Sequence, residues 1–422
     1  MKPTRLWQPT ALMTLLAACP WAQASVDVVL RLDTAWGHNS NLFRNDASQS
    51  PVSTAAGTAS ASVPTATGTH TRGAALTVGV PLGSPETRLV LSTTFTTQRL
   101  GAVPELNHTA QTHAARLPWR YTELWDGEVS VGGSETAYPV DDFYTRLDTV
   151  DRRWLNAVVR LKPTPYLELP LQTTSTSARH ADRLTHGPLD EEVSSTSASV
   201  LYRSPLGNTA QLGVVGRRIA FPNRINPTTS ASHEEHESDT FFEVLWVHSP
   251  QTQMGFRWAT RLKTTPNGQF APSRQNLFRL AANHTLSPYT RLEAQAWRQP
   301  YQNTDAQANY GISKGHGAGV VWTPSHKVSV RAGWQTESQQ DLALFGGDTS
   351  LALNPTTQRT SVRVEYLLDR GFTAFVTAAR ENRVRRERDT ARQTAWHMGV
   401  EYRYENLPGA AQRSQPAVLP TY

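Results

Sequence analysis

From residue 25 onward, apolar and polar side chains alternate one by one in segment after segment. Val26, Val28, Leu30 and Leu32 alternate with Asp27, Val29, Arg31 and Asp33. Met254, Phe256, Trp258 and Leu262 alternate with Gly255, Arg257, Ala259, Arg261 and Lys263. Val328, Val330, Ala332 and Trp334 alternate with Ser329, Arg331, Gly333 and Gln335, and the same period recurs around Leu89–Phe95, Val362–Leu368 and Met398–Tyr404. A period of two puts one apolar and one polar face on each segment, which is the pattern of a β-strand.

The connections narrow the fold further. Short turns recur at Pro163-Thr164-Pro165, Ser204-Pro205, Ser249-Pro250, Ser287-Pro288 and Thr323-Pro324, with two more at Leu124–Gly127 and Asp369–Gly371. Longer polar stretches lie between them, at 38–71, 138–149, 181–192, 222–238, 300–314 and 340–357. Short and long connections therefore alternate. The pattern predicts an all-β chain: a closed up-and-down antiparallel transmembrane β-barrel of about 18 strands (16–18), each of roughly 10–13 residues, the length a tilted strand needs to cross a bilayer. An even strand number puts both termini on the short-turn, periplasmic side and the long loops outside. Sandwich strands are shorter, about 5–6 residues. No blade-like repeat of about 40–45 residues occurs, which argues against a propeller.

Composition agrees. Charged residues make up 18% of the chain, against about 25% in soluble domains. Closing the sheet leaves no unpaired backbone group in lipid. Twelve Trp exclude aromatic-poor disorder. Trp36, Trp119, Trp154, Trp246, Trp258, Trp297, Trp322, Trp334 and Trp396 lie on or near strand ends, where aromatic girdles at both membrane interfaces would use them; ordinary strand packing is the other reading. A single Cys excludes a disulfide framework.

Residues 1–24 read as a signal peptide: Lys2 and Arg5, the apolar run Ala11–Ala18, and Ala22-Gln23-Ala24 before Ser25. A lipobox reading, Leu16-Ala17-Ala18-Cys19, stands beside it. Residues 25–406 then form the barrel. Within it, 46–71 is an Ala/Ser/Thr-rich stretch expected to be a mobile outer loop, and 407–422 is a flexible periplasmic tail. The destination is the bacterial outer membrane, so lipid, lipopolysaccharide and the barrel-assembly machinery are the expected partners.

The charge balance is +6, with 41 Lys+Arg against 35 Asp+Glu. Only five of the bases are Lys, leaving 36 Arg. They are spread through the strands and do not cluster, so nucleic acid is not an expected partner. Strand parity points Arg31, Arg160, Arg217, Arg257, Arg261, Arg279, Arg331, Arg363 and Arg403 into the lumen. The inward acids on these strands, Asp33, Glu168, Glu293, Glu365 and Glu401, are fewer. Rings of Arg select anions in pores; Arg paired with acids across strands would instead stiffen the wall. Both readings stand at this point.

No G-x-S-x-G, H-E-x-x-H or phosphate loop is present, and no enzyme, cofactor or metal site is expected. His233-Glu234-Glu235-His236 is the densest ligand cluster and reads as a solvated loop. Asp141, Asp142 and His180 are catalytic candidates only by their place near the outer rim.

Just after the first strand, Asn39-Ser40-Asn41-Leu42-Phe43-Arg44 carries an N-L-F-R tetrad (Asn41, Leu42, Phe43, Arg44), and Phe221-Pro222-Asn223-Arg224 closes a later strand. In a signal-bearing, Arg-rich barrel these resemble the outer-membrane proteins of exosortase-linked exopolysaccharide clusters, the EpsL type. The resemblance implies a part in exopolysaccharide export or assembly, with secreted polysaccharide and periplasmic export components as partners; with the inward Arg residues, the expected mechanism is a passive Arg-lined conduit for an acidic polymer or a docking ring. A general or anion-preferring porin is the alternative, and a surface adhesin or anchor barrel a third.

Overall fold

The computed structural model describes residues 26–42, 66–137, 147–184, 186–225, 232–266, 272–301, 308–344, 355–369, 371–385 and 389–406. The expected signal peptide, the tail and residues 43–65 of the first long connection lie outside these. Eighteen strands follow one another. The first six are β1 (Asp27–Asn39), β2 (Thr67–Leu82), β3 (Ser84–Leu100), β4 (His108–Arg120), β5 (Trp125–Ala137) and β6 (Thr149–Thr164). Then come β7 (Leu167–His180), β8 (Glu191–Arg203), β9 (Thr209–Ile225), β10 (Ser232–Ser249), β11 (Thr252–Thr264) and β12 (Ser273–Ser287). The last six are β13 (Thr290–Tyr301), β14 (Ala308–Ser325), β15 (Val328–Leu344), β16 (Thr356–Asp369), β17 (Phe372–Arg385) and β18 (Asp389–Glu405).

Each strand pairs antiparallel with the next, and β1 pairs with β18, so the sheet closes on itself. Asn406 finishes the seam: its side chain accepts the Val28 N–H at 2.7 Å and donates to the Val26 carbonyl at 2.7 Å. The short side carries the tight turns. Gly83, Gly207 and Gly371 adopt positive φ there, at 76°, 84° and 86°, a conformation that costs only glycine nothing.

The strands run 12–18 residues, longer than the sequence pattern suggested. They continue into the polar stretches. Residues 222–238, expected to be a loop, are largely strand: β9 ends at Ile225 and β10 starts at Ser232. Likewise 46–71 ends early, because Thr67–Thr71 open β2. Polar sequence at these positions forms strand because the sheet neighbours satisfy its backbone.

The faces separate as the alternation requires. Leu32, Phe256, Trp258, Leu280, Val362, Val364, Met398 and Val400 are exposed on the outside, where lipid covers them. A one-residue slip would turn this apolar set inward. Trp36, Trp246, Trp322, Trp334 and Trp396 are exposed on the same face. Trp154 and Trp297 are not girdle residues. Each lies opposite a glycine on the inner wall, Gly132 and Gly315, where an added Cβ would sit 2.2 and 2.3 Å from the indole.

Candidate functional site

The lumen wall is the site. Its chemistry is Arg beside carboxylate, and the register decides which acid each Arg meets. In the outer half of β9–β11, Glu235, Glu237 and Asp239 occupy successive inward positions of β10. Register places Glu237 between Arg217 and Lys263, and Asp239 opposite Arg261. Arg217 Nη1 donates to Asp239 Oδ2 at 2.7 Å. Arg261 makes a bidentate pair with Asp239 (Nε–Oδ1 2.8 Å, Nη2–Oδ2 2.9 Å) and reaches Glu237 at 2.9 Å. Lys263 meets Glu235 at 2.8 Å, and His233 Nε2 lies 2.9 Å from the same carboxylate. All of these except Arg217 are buried, with Asp239 only 2% exposed. One step lower, Arg257 donates to Glu243 at 2.9 Å and lies 4.1 Å from the Phe241 ring centroid. Phe241 packs with Val215, Ala259, Leu277 and Ile312. This stretch of wall is dry.

The periplasmic half of β15–β18 and β1 differs. Arg31 Nη2 lies 2.9 Å from Glu401, Arg363 Nε 2.7 Å from Glu365, and Arg403 Nη2 2.7 Å from Glu405. Arg31 and Arg403 are cross-strand neighbours, as are Arg331 and Arg363. The side chains of Arg31 and Arg403 are 53% and 47% exposed. Like charges directly opposite one another are tolerated here because water screens them.

Of the other inward Arg residues, Arg160 donates to Asp126 at 2.7 Å, and Lys162 shares that carboxylate. Arg279 stands opposite Arg257 and is exposed. Asp126, Glu237, Asp239, Glu243 and Glu405 were missed as lumen acids, although the parity that placed the Arg residues would have found them. Reading 222–238 as loop hid the β10 ladder. His233 and Glu235 of the expected solvated cluster are buried on the wall, while Glu234 and His236 face the other way, 2.6 Å apart.

The N-L-F-R segment is only partly described. Asn41 Nδ2 donates to the Arg392 carbonyl at 3.1 Å, and its N–H donates to Asn39 Oδ1 at 3.0 Å. Leu42 packs with Leu147 against Leu100, Val103 and Leu106. Phe43 and Arg44 lie outside the described residues, as do Asp141 and Asp142. In the other motif Arg224 lies 4.2 Å from the Phe221 ring centroid and donates to the Pro188 carbonyl at 3.3 Å.

No protein-family model matches the chain, and neither does any curated protein. Solved structures do. OccK9 (OpdG) of Pseudomonas aeruginosa superposes with a TM-score of 0.53 at 8% identity, over 90% of this chain and 98% of the other. The outer membrane protein opdK of the same organism gives 0.50 at 11% identity, over 90% and 99%. The chain spans 62% of the length of the copper transporter OprC, with a TM-score of 0.48. The fold is that of an outer-membrane β-barrel. At such identities the likeness is one of architecture, and function is argued from the wall.

Proposed function

We propose that the protein is a passive outer-membrane channel of the porin kind, passing small polar solutes through a lumen lined with paired charges. The observation that carries this is the water-facing periplasmic half of the wall, where guanidinium groups inside a closed barrel keep about half their surface accessible. An apolar exterior and a hydrated, charged interior are the two requirements of an aqueous pore. Because most inward Arg residues have a carboxylate beside them, the lining is close to zwitterionic and ion preference is weak. The barrels that it resembles, OccK9 and opdK, lend the architecture. Purified protein in planar bilayers should give discrete, ohmic conductance steps with a reversal potential near zero. Folded, inserted barrel without conductance would overturn the channel.

A second reading is a part in moving a secreted polysaccharide. It rests on the N-L-F-R resemblance and on Trp154 and Trp297, whose indoles lie on the inner wall against glycine and offer flat apolar faces to sugar rings. Trp297 is held there by a hydrogen bond from its Nε1 to Ser313 Oγ at 3.0 Å, and Ser313 donates to Glu337 at 2.7 Å. Loss of surface polysaccharide from cells lacking the protein, restored by wild type but not by Trp154→Ala/Trp297→Ala at equal barrel levels, would favour this reading over a general pore.

A further inference from the structure

The outer rim gathers three side chains that the lumen does not use. Asp148 directly precedes β6, His180 ends β7, and His186 starts the 3-10 turn Gly187–Leu189 that leads into β8. All three are buried. Asp148 Oδ2 lies 2.7 Å from His180 Nδ1 and 3.0 Å from His186 Nδ1. A ligating atom from each residue fits within 4.8 Å of the other two.

We propose that Asp148, His180 and His186 form a binding site for a single borderline divalent transition-metal ion, of which Zn2+ is the type, with the fourth position open to water or a solute. Two imidazoles and one carboxylate are a donor set for such an ion, whereas Ca2+ and Mg2+ take oxygen ligands. Bonds of about 2.0–2.2 Å in a tetrahedron set ligand atoms roughly 3.3 Å apart. Asp148 Oδ2, at 2.7 Å from His180 Nδ1 and 3.0 Å from His186 Nδ1, has to move out by about 0.6 and 0.3 Å to reach that spacing, and ligating nitrogens of the two rings already lie within 4.8 Å of each other.

The ligands are held from behind. The other Asp148 oxygen, Oδ1, accepts the Asp182 N–H at 2.8 Å, which leaves Oδ2 aimed at the two rings. The His180 N–H donates to Asp190 Oδ1 at 2.7 Å, and Asn223 Nδ2 holds Asp190 Oδ2 at 2.7 Å. The His186 N–H donates to the Asp182 carbonyl at 2.9 Å. These bonds fix the carboxylate of Asp148 and the backbone from which each ring projects. Without metal, His180 Nδ1 and Asp148 Oδ2 share a hydrogen bond, and His186 Nδ1 lies 3.0 Å from the same oxygen. Metal binding uses the Nδ1 lone pairs, so each ring carries its proton on Nε2 instead, and a neutral imidazole neither gains nor loses a proton.

The site would staple the 181–190 connection to the ends of β6 and β7. Asn223 and Arg224, through Asp190 and the Pro188 carbonyl, extend the hold to β9. The metal therefore stiffens one side of the outer mouth.

The test uses the full-length barrel in detergent, stripped with a chelator and titrated with Zn2+ by calorimetry, with Co2+ absorption as a second readout. One ion per chain, a four-coordinate Co2+ spectrum, and at least tenfold weaker binding in both Asp148→Asn and His186→Gln are expected. His236→Gln, on the outer face, should bind as wild type does. No stoichiometric Zn2+ binding by folded wild type would overturn the site and leave a hydrogen-bonded knot. Binding lost in His236→Gln but kept in His186→Gln would also overturn it. Should a variant fail to fold, the wild-type stoichiometry and Co2+ spectrum decide alone. Neither readout depends on conductance, so the result is separable from the channel proposal.

Discussion

The outer half of β9–β11 and the periplasmic half of β15–β18 and β1 are built from the same residue types and behave differently. Both set Arg against Asp or Glu on the inner face. In the first, Asp239 accepts from two guanidinium groups and is cut off from water beside a packed apolar cluster. In the second, Arg31, Arg363 and Arg403 hold their acids in the open. A desolvated pair is costly to break, because its surviving partner is left charged and buried. A solvated pair costs little to break and contributes mostly to the local field. The first stretch is a joint in the wall, and the second is a lining.

The largest effect should come from the joint. Asp239→Asn leaves Arg217 and Arg261 short of a charge in a dry place, and about 3–5 kcal/mol of destabilisation is expected, read as a fall in the barrel's thermal unfolding temperature in detergent. A fall no larger than that of Glu365→Gln would erase the distinction between the two stretches.

Next in size is the lipid face behind the lining. Val364→Arg puts a charge among Val330 and Val376, its cross-strand neighbours, at about 2–4 kcal/mol near the bilayer midplane. Ser329→Arg, inward and opposite Glu365, should assemble normally. Comparing outer-membrane levels of the two variants checks the assignment of faces; equal loss would mean the register is wrong.

The smallest stability change and the clearest functional one belong to the lining. Arg331→Gln/Arg403→Gln should cost about 1 kcal/mol or less per pair broken and move the reversal potential in a salt gradient toward cation preference. Arg261→Gln should do the reverse, lowering thermal stability while the surviving channels keep the wild-type reversal potential. Unchanged selectivity in a well-assembled Arg331→Gln/Arg403→Gln barrel would show that these residues do not line the conducting path.

The alternation of Val330, Ala332 and Trp334 with Ser329, Arg331 and Gly333 was enough to give a strand with one apolar face. The alternating short and long connections gave the closed barrel and its strand number. These are local signals: a period of two is written within each segment, and turn residues sit at its ends. What each Arg meets is not local. Arg31 lies opposite Arg403 at the far end of the chain, and Asp239 sits between strands whose register fixes Arg217 and Arg261 beside it. Water is not written in the alternation either. Asp239 and Glu365 look alike in sequence, and only the packing of Phe241 and its neighbours dries one and not the other. Asp148, His180 and His186 show the same limit, since Asp148 precedes β6, His180 ends β7 and His186 lies in the following connection, and they meet only where β6 starts beside the end of β7 at the rim. Sequence alone determined which residues of a strand share a face, because that depends on parity, while Trp154 and Trp297, expected at the girdles, lie on the inner wall. Tertiary structure decided partners and burial, because those depend on register between strands and on what packs against the wall.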